Sequence, residues 1–327
     1  MLIEGLSLVL VLEFIISFWI AFSIGANDET MASLVGSKFI SVFLAALLGA
    51  IMDFIGAVTL GYKVEETIGK GLLSFKISEL DALIIIITVA LWLVLASLYG
   101  WPISTTHAVV GSCIGLGLLK FGIMGVNWNT LRNILLGWIA APFVGFLAAI
   151  IIVKSLLVIT SKFTRGLKSK IKVYYLMSLM LLVWASISAY SRGANDIANA
   201  TALLSILYGR SLFVRVVCGL GMSLGLIIVG RRVLKSVGLQ LSSLDPLTSL
   251  SVQISVALTM LIGTLMKLPL SGTQVLVGAI IGVSKSRGVW MNISNLKRVV
   301  LIWILTFPIT CITTISLSKI FMLLYKP

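Results

Sequence analysis

The sequence predicts an all-α polytopic membrane protein built from two related halves, with broken helices and half-helix hairpins where the halves repeat. Composition points there first. Of 327 residues, 59% are apolar and only 11% charged, and the mean hydropathy is +1.14, far outside the soluble range. The lengths of the apolar runs come second, because several approach or exceed the ~20 residues that cross a bilayer as helix. A self-similarity at an offset near 168 residues is the third observation.

Residues 6–22 form the first apolar run, and a retained helix is expected there, because the preceding Met1-Leu2-Ile3-Glu4 lacks a basic region and no small-residue cleavage site follows. Gly25-Ala26-Asn27-Asp28 then breaks the pattern. Long helices are expected over 39–60 and 80–99, a short interrupted segment over 102–119 and a long helix over 131–158. The second half repeats this order with a helix over 174–190, Gly193-Ala194-Asn195-Asp196, a helix over 212–230, a short segment over 269–284 and a helix over 296–317. The expected units are a first membrane repeat at 1–160, a basic linker at 161–172 and a second repeat at 173–327.

Three motifs recur in register. The two Gly-Ala-Asn-Asp tetrapeptides stand 168 residues apart, Gly61-Tyr62-Lys63-Val64 is answered by Gly230-Arg231-Arg232-Val233, and Pro102-Ile103-Ser104-Thr105-Thr106 by Pro269-Leu270-Ser271-Gly272-Thr273. Gly111 and Gly115 follow the first Pro-x-Ser segment as Gly278 and Gly282 follow the second. Paired, interrupted apolar segments at matching places in two halves are the sequence pointer to a transporter's central site. If each half crosses the membrane an odd number of times, the halves are inverted.

The formal charge of +14 does not point to nucleic acid, because the basic residues sit at the ends of apolar runs. Lys162, Arg165, Lys168, Lys170 and Lys172 cluster in the central connection, which the positive-inside rule places in the cytoplasm. Cys113, Cys218 and Cys311 are widely spaced in apolar surroundings, as packing residues would be, without a metal-ligand pattern or a disulfide framework.

Chemistry concentrates at the breaks. An ionisable side chain at bilayer depth costs at least about 2.5 kcal/mol and so implies a partner, an ion or a cavity; Asp196 and its repeat mate Asp28 meet this description. Their bland reading is helix N-capping. Asn27, Asp28, Asn195, Asp196 and Asn199 offer the oxygen ligands of a hard cation, Na⁺ with H⁺ as the alternative, beside glycines that permit unwound backbone. Ser104, Thr105, Thr106, Ser271, Gly272 and Thr273, with Asn27 and Asn195, are the candidate substrate shell: hydroxyls and free N–H groups at helix starts suit a small oxyanion without a basic side chain. N-capping without a ligand is again the bland alternative. His107, the sole histidine, has Gln274 as its mate, which argues against a proton relay shared by both halves and for a polar packing role. Asp53 has Met222 as its mate, so any role for it is asymmetric. Arg192 is open between attracting anions and a snorkelling or helix-terminal role.

On these residues the chain resembles the inorganic phosphate transporter (PiT) family, which also contains sulfate permeases. Residues 192–200 fit the family's second signature, whereas the first keeps Gly-Ala-Asn-Asp but continues Glu29-Thr30-Met31, and Gly272 replaces a usual threonine. The resemblance covers nearly the whole chain. It implies two inverted-topology repeats, a phosphate or related oxyanion site between them, a coupling Na⁺ or H⁺, no cofactor, a homodimer, and a place in the plasma membrane. A membrane-embedded enzyme is the rival class, opposed by the absence of His-Glu-x-x-His, Gly-x-Ser-x-Gly or an Asp-rich diphosphate motif. A channel fits paired broken helices less well than alternating access does.

Overall fold

The computed structural model describes residues 8–99, 103–209, 212–240, 245–288 and 293–324. Pro102, which was expected to open the first short segment, lies outside them. The first half comprises α1 (Leu8–Ala26), α2 (Ala32–Gly36), α3 (Val42–Leu60), α4 (Tyr62–Glu66) with a π-helical turn over Thr67–Gly71, α5 (Glu79–Tyr99), α6 (Thr105–Phe121) and α7 (Trp128–Ser161). The second comprises α8 (Leu167–Asp196), α9 (Ala198–Leu207), α10 (Leu212–Gly225) with a π-helical turn over Leu226–Gly230, α11 (Arg231–Gln240), α12 (Pro246–Leu265), α13 (Gly272–Arg287) and α14 (Ile293–Leu324). The order of helices is the same in both halves, although the second Gly-Ala-Asn-Asp lies in nearly continuous helix and α6 with the turn after it is long enough to cross a membrane. Helices enter both ends of the predicted linker, leaving residues 162–166 as the non-helical connection.

Nine helical stretches among the described residues are long and apolar enough to cross a membrane. The chain is a polytopic, multi-pass membrane protein. On α7, Ile139, Phe143, Leu147 and Ile151 recur every fourth residue and are all more than half exposed, whereas Trp138, Ala141, Gly145, Ala149 and Val153 on the other face are buried. An apolar stripe left uncovered at helical spacing is what a lipid solvent stabilises. The most interior of the spans is α12, 72% of whose apolar window is buried.

The halves interlock instead of packing as separate bodies. α1 lies on α10 while α8 lies on α3, and α6 lies on α14 while α13 lies on α7. Each contact has its repeat-related counterpart. Glycines make these approaches close: a Cβ on Gly25 would strike the Met222 backbone and one on Gly193 that of Asp53, and Gly111 and Gly278 meet the backbones of Phe307 and Pro142 in the same way. Small residues that let backbones approach are the main source of helix association where lipid removes the hydrophobic drive. At the Gly-Ala-Asn-Asp motifs this corrects the expectation that the glycines serve unwinding.

Candidate functional site

The two copies of the Asn-Asp break have different structures. In the first, α1 ends at Ala26 and residues 27–31 are non-helical; the Asp28 carboxylate folds the turn by accepting from Thr30 N at 2.8 Å and Thr30 Oγ1 at 2.5 Å. In the second, α8 and α9 are separated only by Ile197, whose φ of −58° and ψ of −33° are helical. The expected unwinding is therefore confined to the first copy.

Asn195 and Asn27 part company accordingly. Asn195 is buried and pins the start of α13: its Nδ2 donates to Thr264 Oγ1 (2.9 Å) and Leu268 O (3.0 Å), and its Oδ1 accepts from Leu270 N (3.0 Å). Asn27 is exposed and donates to Ser23 O at 2.9 Å. Asn199 Nδ2 donates to Thr106 Oγ1 at 3.1 Å, and Thr106 Oγ1 donates to Leu270 O at 3.1 Å. The three asparagines among the five expected cation ligands thus have separate partners in this conformation, whereas Asp28 and Asp196 share Arg192.

The starts of α6 and α13 come from different halves and meet. Besides the Thr106 to Leu270 bond, His107 Nε2 and Gln274 Nε2 are 3.3 Å apart. His107 Nδ1 lies 3.0 Å from Trp303 O, a pure acceptor, so Nδ1 carries the proton and Nε2 accepts from Gln274. The ring stacks on Trp138 at 3.7 Å, and Trp138 Nε1 donates to Pro269 O at 2.8 Å. Ser104 caps α6, accepting from His107 N at 3.4 Å. Ser271 Oγ and Thr273 Oγ1 lie 3.0 Å apart, and Ser271 makes no capping bond. Thr105 and Thr273 are half-buried. Two helix N-termini, each with hydroxyls at its first turn, are therefore set side by side in the protein interior, an arrangement that suits an anion.

Arg192 is neither snorkelling nor terminal. It is 6% exposed, and its Nη1 lies 3.0 Å from Glu29 Oε1, 2.9 Å from Thr30 Oγ1 and 3.1 Å from Asp28 Oδ1, with Nε 3.6 Å from Asp196 Oδ2. Gln253 Nε2 holds the same turn by donating to Thr30 O at 2.7 Å and Ser33 Oγ at 2.9 Å. Asp53, 1% exposed, makes no hydrogen bond of good geometry among the described residues and has the Asp28 carboxyl as its nearest polar neighbour, with Arg192 and Asp196 also within electrostatic reach. In the sequence Arg192 is open between attracting anions and a snorkelling or helix-terminal role, Asp53 has only an asymmetric position, and Glu29 and Gln253 carry no assignment. A signal existed for the charged three, since opposite charges inside apolar runs at bilayer depth require one another; Gln253 had none.

Known proteins resemble this chain along nearly its whole length. The profile of the phosphate transporter family matches residues 24–314. A relative from Thermococcus kodakarensis, provisionally named a phosphate permease, is 27% identical over 96% of this chain and 98% of its own. A Haemophilus influenzae protein with the same provisional name is 26% identical over 90% and 92%. A solved structure described as the sodium-dependent phosphate transporter superposes with a TM-score of 0.88 at 28% identity, covering 97% of this chain and 100% of that one.

Proposed function

Because this chain belongs to the phosphate transporter family, we propose that it is a symporter that carries inorganic phosphate across the plasma membrane together with Na⁺. The observation that carries the reading is the meeting of the α6 and α13 N-termini across the two halves, Thr106 Oγ1 to Leu270 O at 3.1 Å. Phosphate would take its donors from the first turns of these helices: the half-buried hydroxyls of Thr105 and Thr273, with Ser104, Thr106, Ser271 and the backbone N–H groups around Gly272. Neutral donors suit release as well as capture, because a lysine or arginine clamp would hold the anion through the cycle. The carboxylates of Asp28 and Asp196 and the amides of Asn27, Asn195 and Asn199 are the proposed cation ligands as the breaks rearrange. The sodium dependence of the structural neighbour favours Na⁺ over H⁺.

Inverted topology of the halves, a homodimeric assembly and a cytoplasmic 162–166 connection complete the proposal. The exchange of packing partners between repeats supports the first, and Lys162 and Arg165 with the neighbouring lysines support the last. Reconstitution into liposomes with labelled phosphate and imposed gradients tests the function. An inward Na⁺ gradient should concentrate phosphate, and excess sulfate should leave uptake intact. Saturable uptake that persists with all cation gradients collapsed would remove the coupling, and competition by sulfate would reassign the substrate.

A further inference from the structure

We infer that Arg192 is a tethered cation: its guanidinium sits among the carboxylates of the first break in the place of one coupling cation, so that fewer free cations accompany each anion than the carboxylates alone would require. The inference rests on the reading of the chain as a cation-coupled oxyanion carrier and adds to it the identity of one occupant.

The geometry comes first. Asp28 and Asp196, the two carboxylates placed equivalently by the repeat, both face this one guanidinium, at 3.1 Å and 3.6 Å, with Glu29 at 3.0 Å. A guanidinium stays charged under all conditions a protein meets, so this positive charge does not leave the cluster with pH. Arg192 is unduplicated: its repeat mate is Ile24. Pseudo-symmetry therefore supplies two equivalent carboxylates but one built-in cation.

Independent of the ion pairs, room has been made for it. Gly272, the first residue of α13, stands where the first half has Thr105. A Cβ at Gly272 would run into Arg192 Nε, with Cζ 2.9 Å and Cδ 3.1 Å away. The repeat's threonine is thus incompatible with the guanidinium in its present seat. Arg192 also does not saturate the cluster, since Asp53 is buried beside the Asp28 carboxyl and makes no hydrogen bond of good geometry among the described residues. One fixed positive charge paired with Asp28, Glu29 and Asp196 leaves a demand for exchangeable cations, protons included, so coupling is reduced and not abolished.

A direct role in holding the anion is the competing use of this side chain. Its Nη1 is committed to Glu29, Thr30 and Asp28, and an anion taking that group would displace carboxylates. The test separates the two uses. Full-length protein in liposomes at clamped membrane potential is titrated with Na⁺ while labelled phosphate uptake is read, for wild type, Arg192→Gln and Arg192→Lys. Arg192→Gln should require one further Na⁺ per phosphate, seen as a steeper sodium dependence, while Arg192→Lys keeps the wild-type slope because the charge remains. An unchanged sodium slope with a raised phosphate KM would overturn the inference and make Arg192 an anion ligand.

Gly272→Ala, whose methyl group would crowd Arg192 Nε and shift the guanidinium without removing its charge, should move the sodium dependence in the same direction as Arg192→Gln and by less; it serves if Arg192→Gln cannot be recovered folded. Thermal denaturation of the detergent-solubilised proteins gives a readout that does not need transport. NaCl should stabilise Arg192→Gln, relative to choline chloride, more than it stabilises wild type, and equal stabilisation overturns the tethered cation. If wild type moves no phosphate under any gradient, the functional reading falls while this denaturation comparison still decides the role of Arg192.

Discussion

His107 and Gln274 occupy equivalent positions of the two halves, 167 residues apart, and their side chains touch at 3.3 Å. The contact joins the first turns of α6 and α13. His107→Gln should make the pair symmetric and keep phosphate transport, with an unaltered pH profile. Loss of the Trp138 stack and the Trp303 bond should cost about 1–2 kcal/mol, read as a lower unfolding temperature. A pH profile that flattens in the variant would instead make His107 part of the coupling.

The two threonines that end the Pro-x-Ser segments are equivalent in sequence and unequal in structure. Thr106 Oγ1 bonds Leu270 O and accepts from Asn199, whereas Thr273 Oγ1 has only Ser271 Oγ beside it. Thr273→Ala should raise the phosphate KM about tenfold with little loss of stability, because a donor to a charged ligand is worth roughly 1.5–3 kcal/mol. Thr106→Ala should lower both stability and transport. Parallel uptake kinetics and melting curves check this, and identical behaviour of the two variants would contradict it.

Asp28 is held more tightly than Asp196. It accepts from Thr30 twice and forms an ion pair with Arg192 at 3.1 Å, whereas the nearest Asp196 oxygen is 3.6 Å from Arg192 Nε. Asp28→Asn should therefore destabilise the protein more than Asp196→Asn, since breaking a buried ion pair costs about 3–5 kcal/mol. Asp196→Asn should leave the protein inserted and folded and weaken sodium dependence. Thermal denaturation and sodium titration distinguish these outcomes.

Asn195→Ala removes three hydrogen bonds from the α12–α13 turn and leaves Leu270 N without its acceptor. A loss of about 1–3 kcal/mol is expected from the unsatisfied group alone. Asn27→Ala, at the exposed mate, should cost little stability. A reversed order in melting temperature would mean that the repeat has exchanged its roles.

Gly193→Ala and Gly25→Ala should be costly to similar degrees, about 1–3 kcal/mol each, because each Cβ meets backbone of the opposite half, at Asp53 and Met222. Detergent-solubilised melting curves report the cost. Free tolerance of either would show that the helices can part without loss.

Much of the fold was legible because its causes are local. Apolar runs and the Pro-x-Ser segments are local features of the chain that mark where helices run and start, whereas of the paired tetrapeptides only the first is followed by non-helical backbone. Ser104 and Ser271, read as starts of short helices, do flank α6 and α13. Asn27 and Asn195, one candidate shell in the sequence, have different partners in this conformation, because equal tetrapeptides take unequal conformations when their neighbours differ. Gln253, on α12, holds the first break open as a turn, and its repeat mate is Ile86, which has no donor to offer.

By itself, then, the sequence determined a helical membrane protein whose polar motifs recur in register, because lipid allows a chain with these apolar lengths no other backbone. Tertiary structure alone decided that the halves interlock, that α6 and α13 meet first turn to first turn, and that Arg192 reaches three carboxylates more than 160 residues away or one turn on. Such pairings depend on which helices become neighbours. That choice is made by glycine-to-backbone contacts between distant segments, and no local pattern in the chain records their partners.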